Sequence, residues 1–416
     1  MTGRVATLAR RCPVRGGLAL PTLATMANPI RPLDLLALDS VLSVEELEVR
    51  DTVRTFADKE LRPHIGDWFE AGELPARELA LALGELGVLG MHLDGYGCAG
   101  TTSVMYGLAC AELEAVDSGI RSLVSVQGSL AMVAIHHFGS EEQKQTWLPA
   151  MARGELVGCF GLTEADAGSN PASMRTRAVR DGDDWIVTGS KMWITNAPIA
   201  DVAIVWARTD DGVRGFIVPT KSPGFSAPKV HHKLSLRASV TGELVLDGVR
   251  LPADAMLPGV TGLRGPLSCL TEARYGIVWG ATGSARDALE CAQDYALTRI
   301  QFDHPIAAFQ LTQAKLADMA CSLSTAWLLA LHLGRMKDAG TITPDMVSMG
   351  KLNNVRASID IARTCRTILG GSGITTEYSP LRHALNLESV LTYEGTEEMH
   401  TLVLGQALTG IPAFRV

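Results

Sequence analysis

Apolar residues recur at helical spacing from about residue 41 to residue 155. Two capping boxes, Ser43 with Glu46 and Ser140 with Gln143, mark helix starts near the two ends of this region. Between them, segments rich in alanine, leucine and methionine are separated by Gly or Asp-Ser-Gly breaks. The pattern predicts an N-terminal helical domain over residues 41–155.

The pattern changes at Val157, where β-branched and aromatic residues begin to alternate with Asp-Gly and Thr-Gly turns. This texture predicts a β domain over residues 156–258. The helical period then returns and predicts a C-terminal helical domain over residues 259–416. In a mainly α chain with an inserted β domain, we expect ligand sites at the interfaces between the domains. The long segments of the last domain are 271–299, 306–338 and 345–369.

The N-terminal end differs in charge from the rest of the chain. The first 33 residues contain five arginines and no acid, which leaves 32 basic and 45 acidic residues, a net charge of −13, for the remainder. The leader is either an organelle transit peptide or an overlong gene start with Met26 as the initiator. We expect a mitochondrial matrix protein in the first case and a bacterial cytoplasmic protein in the second. In neither case do we expect residues 1–40 to have a role in the fold.

Composition excludes several classes of protein. A net charge of −8 argues against a broad basic surface for nucleic acid. The eight cysteines show no CxxC or CxH spacing, so we predict neither a metal site nor a disulfide framework. No uncharged apolar run reaches the roughly 18 residues of a membrane span, and none is predicted.

The segment CFGLTEADAGSNP (159–171) offers the hydroxyls of Thr163 and Ser169 and the small residues Gly161 and Gly168. Hydroxyls and close-approach glycines suit the polar rim of a cofactor. The alternative is an ordinary turn between two strands.

The segment GSKMWITNAP (189–198) places Trp193 and Thr195 two residues apart, which predicts that they share one strand face. An indole offers a flat wall to an aromatic ring system, and Thr195 a hydrogen bond. The alternative is a tryptophan of the core.

Two further segments suggest chemistry. In LESVLTYEGTEEMH, Glu394 follows apolar residues and precedes Gly395, so its carboxyl can have a raised pKa and act as a base. The alternative is a solvated acid at a helix end. In RTILGGSGI (366–374), glycines allow the backbone to approach a phosphate or ribityl chain, although a plain helix C-terminal loop would look the same.

Taken together and in this order, seven segments of the chain resemble the acyl-CoA dehydrogenase family of FAD flavoproteins. Within that family, they look most like the glutaryl-CoA dehydrogenase branch. The likeness runs from about residue 41 to Phe414. It implies an N-terminal helical domain, a central β-barrel or sandwich domain and a C-terminal four-helix bundle. The segments are AVDSGIRSLVSVQGSL, GCFGLTE, SKMWITNAPIAD, KLSLRASVTG, EARYGIVWG, TYEGT and LGQALTGIPAF.

The resemblance implies that Glu394 removes the α-proton of an acyl-CoA thioester while the flavin accepts hydride from the β-carbon. It places Arg274 beside the substrate and the base. It also implies that the thioester oxygen is bound by a flavin ribityl hydroxyl and the backbone N–H of Glu394. Electrons then pass to an electron-transfer flavoprotein.

The resemblance further implies FAD contacts in both strand motifs, in the glycine loop and at the end of the chain. Arg299 and Gln310 match positions that reach FAD from a neighbouring subunit, which implies a homo-oligomer, commonly a tetramer. The other matching positions are Phe160, Leu162, Thr163, Gly168, Ser169, Trp193, Ile194, Thr195, Leu369, Gly370, Gly371 and Thr396.

Substrate choice depends on the segment ELEAVDSGIRS. In the glutaryl branch an arginine at the position of Arg121, helped by an acid at the position of Glu114, pairs with the distal carboxylate of glutaryl-CoA. The alternative is a helix salt bridge from Asp117 to Arg121 at i,i+4. The resemblance adds further residues to the substrate pocket: Ser122, Ser125, Ser169 and Tyr393.

Several positions depart from the branch pattern, among them Ile120, Thr367, Asp303 and His304. They leave three hypotheses open. The first is oxidative decarboxylation of glutaryl-CoA to crotonyl-CoA and CO2. The second is a dehydrogenase or oxidase for another short acyl-CoA, without decarboxylation. The third is a catalytically silent flavin-binding paralogue, against which the intact YEGT argues.

Overall fold

The structure is a computed structural model that describes residues 28–413. The leader prediction for residues 1–27 and the matching position Phe414 lie outside these residues. Within them the order is helices, strands, helices, and the predicted fold class is confirmed.

The N-terminal domain is helical, as predicted. Both capping boxes form: the Ser43 hydroxyl accepts from Glu46 N, and the Ser140 hydroxyl accepts from Gln143 N. A π-helical segment, Val126–Met132, lies within a continuous helical stretch over Ser118–Phe138. The helices are α1 Val44–Phe56, α2 Ile65–Ala71, α3 Ala76–Glu85, α4 Ser103–Val116, α5 Ser118–Ser125, α6 Val133–Phe138 and α7 Glu141–Ala152.

The residues before α1 take part in the fold. Two short 3₁₀ helices, Pro32–Leu36 and Leu38–Val41, precede it, and the Leu38 side chain is buried in the core of the helical domain. Arg31 Nη1 donates to Asp294 Oδ1 at 2.7 Å. The prediction that residues 1–40 have no role in the fold is therefore wrong for residues 31–40.

The β domain is one seven-stranded sheet with the order β1-β4-β2-β3-β7-β6, and β5 pairs with β4. The predicted hairpin forms between β2 and β3, with Asp181 opposite Asp184. Chain order and sheet order differ because β1 pairs with β4 in parallel. The strands are β1 Gly158–Gly161, β2 Arg177–Asp181, β3 Asp184–Thr195, β4 Val202–Thr209, β5 Gly212–Pro219, β6 Phe225–Ser226 and β7 Thr241–Leu251.

The C-terminal domain is a bundle of long helices in which α8 and α10 pack against each other and against α11. α8 also packs on α4, so the two helical domains share a core that contains Leu113, Val116, Tyr275 and Trp279. A small hairpin, β8 Ile300–Gln301 with β9 His304–Pro305, connects α8 to α9. The helices are α8 Arg264–Thr298, α9 Gln310–Asp338, α10 Pro344–Ile368, α11 Ser379–Thr392 and α12 Glu397–Thr409.

Two helical segments, Ser118–Phe138 and Gln310–Asp338, have the length and apolar composition of a membrane span. The apolar window of the first is wholly buried inside the protein, and that of the second is half buried. Burial of this kind is typical of core helices, so their composition is weak support for a span.

Candidate functional site

Glu394 lies in the short turn between α11 and α12. α11 ends at Thr392, and Glu394 then adopts a left-handed backbone with φ of 53°. Gly395 follows with φ of 92°, and a Cβ there would lie 2.8 Å from His400 Nε2, so only glycine fits. Thr396 ends the turn as the N-cap of α12, where its hydroxyl accepts from Met399 N at 3.3 Å. The base predicted from the sequence therefore lies in a tight turn between two helices, and packing holds that turn in place.

Cationic side chains bind the carbonyl groups of this turn. Lys351 Nζ, from α10, donates to Tyr393 O at 2.5 Å and to Gly395 O at 2.6 Å. Arg274 Nε, from α8, donates to Glu394 O at 2.7 Å. The side chain of Lys351 is only 2% exposed. Two different helices thus fix the backbone on both sides of the Glu394 side chain.

The carboxyl group of Glu394 is available for chemistry. Its Oε2 is buried and has no hydrogen-bond partner among residues 28–413. Burial raises the pKa of this carboxyl above its usual range, although the charges of Arg121, Lys351 and Arg274 oppose the shift. An unpaired carboxylate with a raised pKa has the properties of a general base near neutral pH.

Arg121, on α5, is fully buried beside this turn. Its Nε donates to Glu114 Oε2 at 2.6 Å, and its Nη2 donates to the Tyr393 hydroxyl. Glu114 also accepts from the Ser118 hydroxyl at 2.8 Å. The remaining nitrogen, Nη1, makes no hydrogen bond to the part of the chain that the structure describes. One arm of a buried guanidinium is therefore left to bind a ligand.

The alternative salt bridge between Asp117 and Arg121 is wrong. Asp117 is the N-cap of α5, where its Oδ1 accepts from Gly119 N at 2.8 Å. Its Oδ2 lies 3.3 Å from Arg382 Nε and accepts from Asn386 Nδ2 at 2.8 Å. The i,i+4 rule does not apply because the helix begins only at Ser118.

Two of the three predicted serines of this pocket, Ser122 and Ser125, lie on the same helix as the arginine. Ser122 Oγ is 3.4 Å from the Tyr393 hydroxyl. Ser125 is fully buried, and its Oγ has no partner among the described residues. Ser169 is exposed in the loop after β1, and no contact in the structure links it to Arg121.

The two strand motifs lie side by side. Met192 N donates to Thr163 O at 2.9 Å, and the buried Lys191 Nζ donates to Leu162 O at 3.0 Å. Phe160 and Leu162 pack in one core cluster with Val126 of the helical domain. The motifs therefore meet at the interface between the β and helical domains, where a ligand was predicted.

Trp193 is not a core residue. The pairing of β3 with β7 shifts between Lys191 and Ile194, and Trp193 lies in this bulge with φ of 64°. Its side chain is 59% exposed, while the next residue, Ile194, is buried and Thr195 is half-buried. The alternative of a core tryptophan is therefore wrong, and because of the bulge the exposure of Trp193 cannot be deduced from the alternation of a regular strand. An exposed indole beside Thr195 fits a bound isoalloxazine ring.

The other predicted cofactor positions lie in the C-terminal domain. Gly370 and Gly371 are exposed, and nothing lies within 4 Å of a Cβ built on either, so this backbone is open to a phosphate or ribityl chain. Leu369 is buried beneath them. Arg299 and Gln310 are exposed on either side of the β8–β9 hairpin. Gly168 is likewise exposed with nothing within 4 Å, and these open positions fit FAD.

Asp303 and His304, which depart from the expected pattern, belong to the β8–β9 hairpin. Asp303 has φ of 64° and Phe302 has φ of 50°, so both adopt the left-handed backbone of a two-residue turn. Both Asp303 and His304 are exposed. Asp303 thus forms the turn and His304 begins the second strand of the hairpin. No described contact joins either residue to the site.

Sequence reasoning missed Lys351 and His400. Each is a single polar residue within a helix. No motif around Lys351 indicates a contact with a turn 42 residues away. None around His400 indicates that its side chain packs back on the turn before its own helix. Burial lowers the pKa of Lys351, and burial lowers the pKa of His400 to about 3. Only the packing of α10 and α12 against the Glu394 turn reveals them.

The seven cysteines of residues 28–413 are all free. Over the same range, no group of three or more His, Cys, Asp or Glu side chains has an arrangement that could hold a metal ion.

A base with an unpaired oxygen, a buried arginine and an open aromatic and glycine-lined surface, on a fold with an inserted β domain, fit the flavin-dependent oxidoreductase that the resemblance implies. Family models agree: the N-terminal, middle and C-terminal domains of acyl-CoA dehydrogenase match residues 43–155, 159–249 and 261–409. The chain belongs to the acyl-CoA dehydrogenase family and is an enzyme of that class.

Solved structures give a finer comparison. The chain is similar to glutaryl-CoA dehydrogenase from Mycobacterium smegmatis, with 68% identity, a TM-score of 0.92, and coverage of 92% of this chain and 100% of that one. A second structure of a glutaryl-CoA dehydrogenase from the same organism, in complex with FADH2, shares 64% identity and a TM-score of 0.92, covering 93% and 100%. Human mitochondrial short-chain specific acyl-CoA dehydrogenase is 36% identical over 361 residues, covering 85% of this chain and 87% of its own.

Proposed function

We propose that this chain oxidises and decarboxylates glutaryl-CoA to crotonyl-CoA and CO2. The observation that carries the proposal is the buried Arg121, whose Nη1 makes no hydrogen bond within the described chain although its Nε and Nη2 are both paired. A planar guanidinium presents donors in the geometry that a carboxylate accepts. The 68% identity to a glutaryl-CoA dehydrogenase supports the same substrate.

The charges around the pocket also favour an anionic substrate. In their charged forms, Arg121, Lys351 and Arg274 contribute three positive charges, while Glu114 and Glu394 contribute two negative ones. An uncompensated charge is costly in buried surroundings. The distal carboxylate of glutaryl-CoA would balance the excess positive charge, whereas a butyryl chain would not.

Glu394 is the base of the proposed reaction. Its unpaired Oε2 takes the α-proton, and its raised pKa makes that transfer less unfavourable than it would be for a solvated carboxylate. The proton leaves only if the enolate oxygen is stabilised as it forms. The backbone N–H of Glu394 makes no hydrogen bond to the described residues and can donate to that oxygen.

FAD is the cofactor, and when bound it accepts the hydride that leaves the β-carbon. In our proposal the exposed indole of Trp193 lies against the isoalloxazine ring, and Thr163 and Thr195 hydrogen-bond its edge. The open backbone at Gly370 and Gly371 accommodates the rest of the cofactor.

Oxidation of glutaryl-CoA gives glutaconyl-CoA, in which the electrons of the γ-carboxylate can delocalise through the new double bond into the thioester. Loss of CO2 leaves a dienolate. Protonated Glu394 then returns its proton to the dienolate and yields crotonyl-CoA, so one carboxyl group serves as base and later as acid.

We also propose a homo-oligomer, of the tetrameric kind that the resemblance implies, and an electron-transfer flavoprotein as electron acceptor. Three apolar side chains of the C-terminal domain, Phe302, Leu311 and Leu408, are each more than four-fifths exposed, as expected of residues that a second subunit covers. Arg299 and Gln310 flank the same hairpin and would reach the FAD of that neighbour.

A second candidate is a short-chain acyl-CoA dehydrogenase or oxidase that does not decarboxylate. It is favoured by the 36% identity to human short-chain specific acyl-CoA dehydrogenase. In this alternative Arg121 serves only to neutralise Glu114.

Anaerobic mixing of the purified yellow holoenzyme with glutaryl-CoA and, separately, with butyryl-CoA tests these functions. We expect glutaryl-CoA to bleach the flavin and release one CO2 per flavin. Bleaching by butyryl-CoA alone would replace the proposal with the second candidate, and bleaching by glutaryl-CoA without CO2 would limit it to dehydrogenation. Admitting oxygen afterwards distinguishes a dehydrogenase from an oxidase, because rapid recovery of the yellow colour identifies an oxidase.

A further inference from the structure

Three consecutive carbonyl groups around Glu394 are all bound by cationic side chains. Lys351 Nζ binds the carbonyls of Tyr393 and Gly395, and Arg274 Nε binds the carbonyl of Glu394 itself. Such charge-assisted hydrogen bonds are roughly twice as strong as neutral ones. They hold Glu394 in a left-handed conformation that is unfavourable for a non-glycine residue.

The consequence for the backbone N–H groups follows from peptide geometry. No peptide bond among the described residues is cis, and in a trans peptide the C=O and N–H bonds point in opposite directions. Because Lys351 binds the Tyr393 carbonyl, the N–H of Glu394 points away from Lys351. That N–H makes no hydrogen bond to the described residues, so it is free to meet an oxygen of a substrate.

We infer that Lys351 is the positioning residue that directs the backbone N–H of Glu394 at the thioester oxygen and thereby sets the strength of enolate stabilisation. The inference rests on the proposed function, in which the enolate oxygen needs a donor. Lys351 touches neither the carboxyl group of Glu394 nor any other reacting atom. Its charge also lowers the pKa of Glu394, but its two hydrogen bonds reach the base only through the peptide planes on either side of it.

The position of Lys351 suits this role better than a purely structural one. It is fully buried on α10, and its ammonium group donates two hydrogen bonds, both to the turn that contains the base. Burying a lysine is expensive, and burial lowers its pKa accordingly. A structural contact between α10 and this turn could be made by an apolar side chain at lower cost.

The test uses the Lys351→Met variant, which keeps the length of the side chain and removes its donors. We expect the variant to retain FAD and to lose roughly 100-fold in kcat, the usual loss for one oxyanion donor, with KM changed less than about threefold. The substrate in this test is whichever acyl-CoA bleaches the flavin of the wild type. A wrong proposed function therefore shows in the wild type alone. A wrong inference about Lys351 shows in the ratio of the kcat of the variant to that of the wild type.

A binding measurement without turnover isolates the enolate. The α-proton of a 3-oxoacyl-CoA lies between two carbonyl groups and is therefore acidic, so its pKa on the enzyme can be followed by the absorbance of the enolate. We expect Lys351→Met to raise that pKa by about two units, the equivalent of a 100-fold loss. A thioether analogue has no carbonyl oxygen, so its affinity should not change. Equal weakening of both ligands would overturn the inference.

Lys233→Met is the matched control, because Lys233 Nζ also binds two loop carbonyls, those of Leu236 and Ser239, and its hydrogen bonds do not include the Glu394 turn. We expect it to lower stability and to leave kcat within threefold. If Lys351→Met does not bind FAD, Lys351→Gln replaces it, since its amide can still donate to one carbonyl. Loss of FAD in both variants, or wild-type kcat in either, would overturn the positioning role.

Discussion

Glu112 on α4 and Glu394 in the turn before α12 are both carboxyl groups with cationic side chains around them, yet the pKa of the first is lowered and that of the second is raised. Burial raises the pKa of Glu112, but Arg286 and Arg54 outweigh burial and hold that pKa at about 2. For Glu394, burial raises the pKa, and its three neighbouring cations do not overcome the effect.

Hydrogen bonding explains the difference. The two oxygens of Glu112 accept four hydrogen bonds, two from Arg54 and two from Arg286, at 2.6–3.0 Å. The cations near Glu394 donate to other acceptors: Lys351 and Arg274 to backbone carbonyls, and Arg121 to Glu114 and Tyr393. Nearby charge alone therefore does not decide whether a buried carboxylate is structural or reactive. The acceptor to which each cation donates decides it.

The largest expected effect is on the unpaired carboxylate. Glu394→Gln should lower kcat by about 10³-fold or more, because it removes a general base. FAD content and melting temperature should stay the same, since the wild-type carboxylate makes no hydrogen bond through Oε2. Stopped-flow bleaching measures the change. Glu398→Gln, which alters an exposed acid four residues later, is the control and should retain full activity.

The second effect is on the paired carboxylate. Glu112→Gln should lower the free energy of unfolding by about 3 kcal/mol, because it leaves the buried guanidinium of Arg286 and the partly exposed one of Arg54 without their counter-charge. Denaturant titration gives the free energy, and steady-state kinetics of the folded variant should give wild-type kcat and KM. A loss of activity without a loss of stability would contradict the comparison.

The third effect is on Arg121, which donates to Tyr393 beside the base and, in our proposal, binds the distal carboxylate of the substrate. Arg121→Lys keeps the charge but loses the planar fork, so kcat/KM for glutaryl-CoA should fall about 100-fold, equivalent to about 2.7 kcal/mol. The value for butyryl-CoA should change less than about threefold. Equal losses for both substrates would make Arg121 a structural partner of Glu114.

The smallest effect is a pH dependence of stability. The pKa of Glu112 is about 2 in the folded protein, below its usual 4.5, so the unfolded chain binds its proton first as the pH falls. The stabilisation from Glu112 is present above pH 4.5 and is lost between pH 4.5 and about 2. The stability difference between the wild type and Glu112→Gln should shrink across this window. A constant difference would show that the charge of Glu112 is not the source.

Local sequence signals predicted much of the fold. The capping boxes at Ser43 and Ser140, the Asp-Gly hairpin of β2 and β3, and the change from helical to alternating periodicity all depend on residues a few positions apart. The segment TYEGT likewise located the base, because the turn at Glu394 and Gly395 is a local break after a helix. The two alternatives that are wrong, a salt bridge from Asp117 and a core position for Trp193, fail because of local exceptions, an N-cap and a bulge, which interrupt the expected periodicity.

The sequence by itself determined the order of the domains, the family resemblance and the position of the base. Tertiary structure alone decided which cation binds which acceptor. Arg121 and Tyr393 are 272 residues apart, and Lys351 meets the Glu394 turn only because α10 packs against α12. Helical periodicity specifies neighbours within one element, whereas the hydrogen bonds that leave Oε2 of Glu394 unpaired depend on four helices packing together. The proton affinity of the base is therefore a property of the packed chain rather than of its motif.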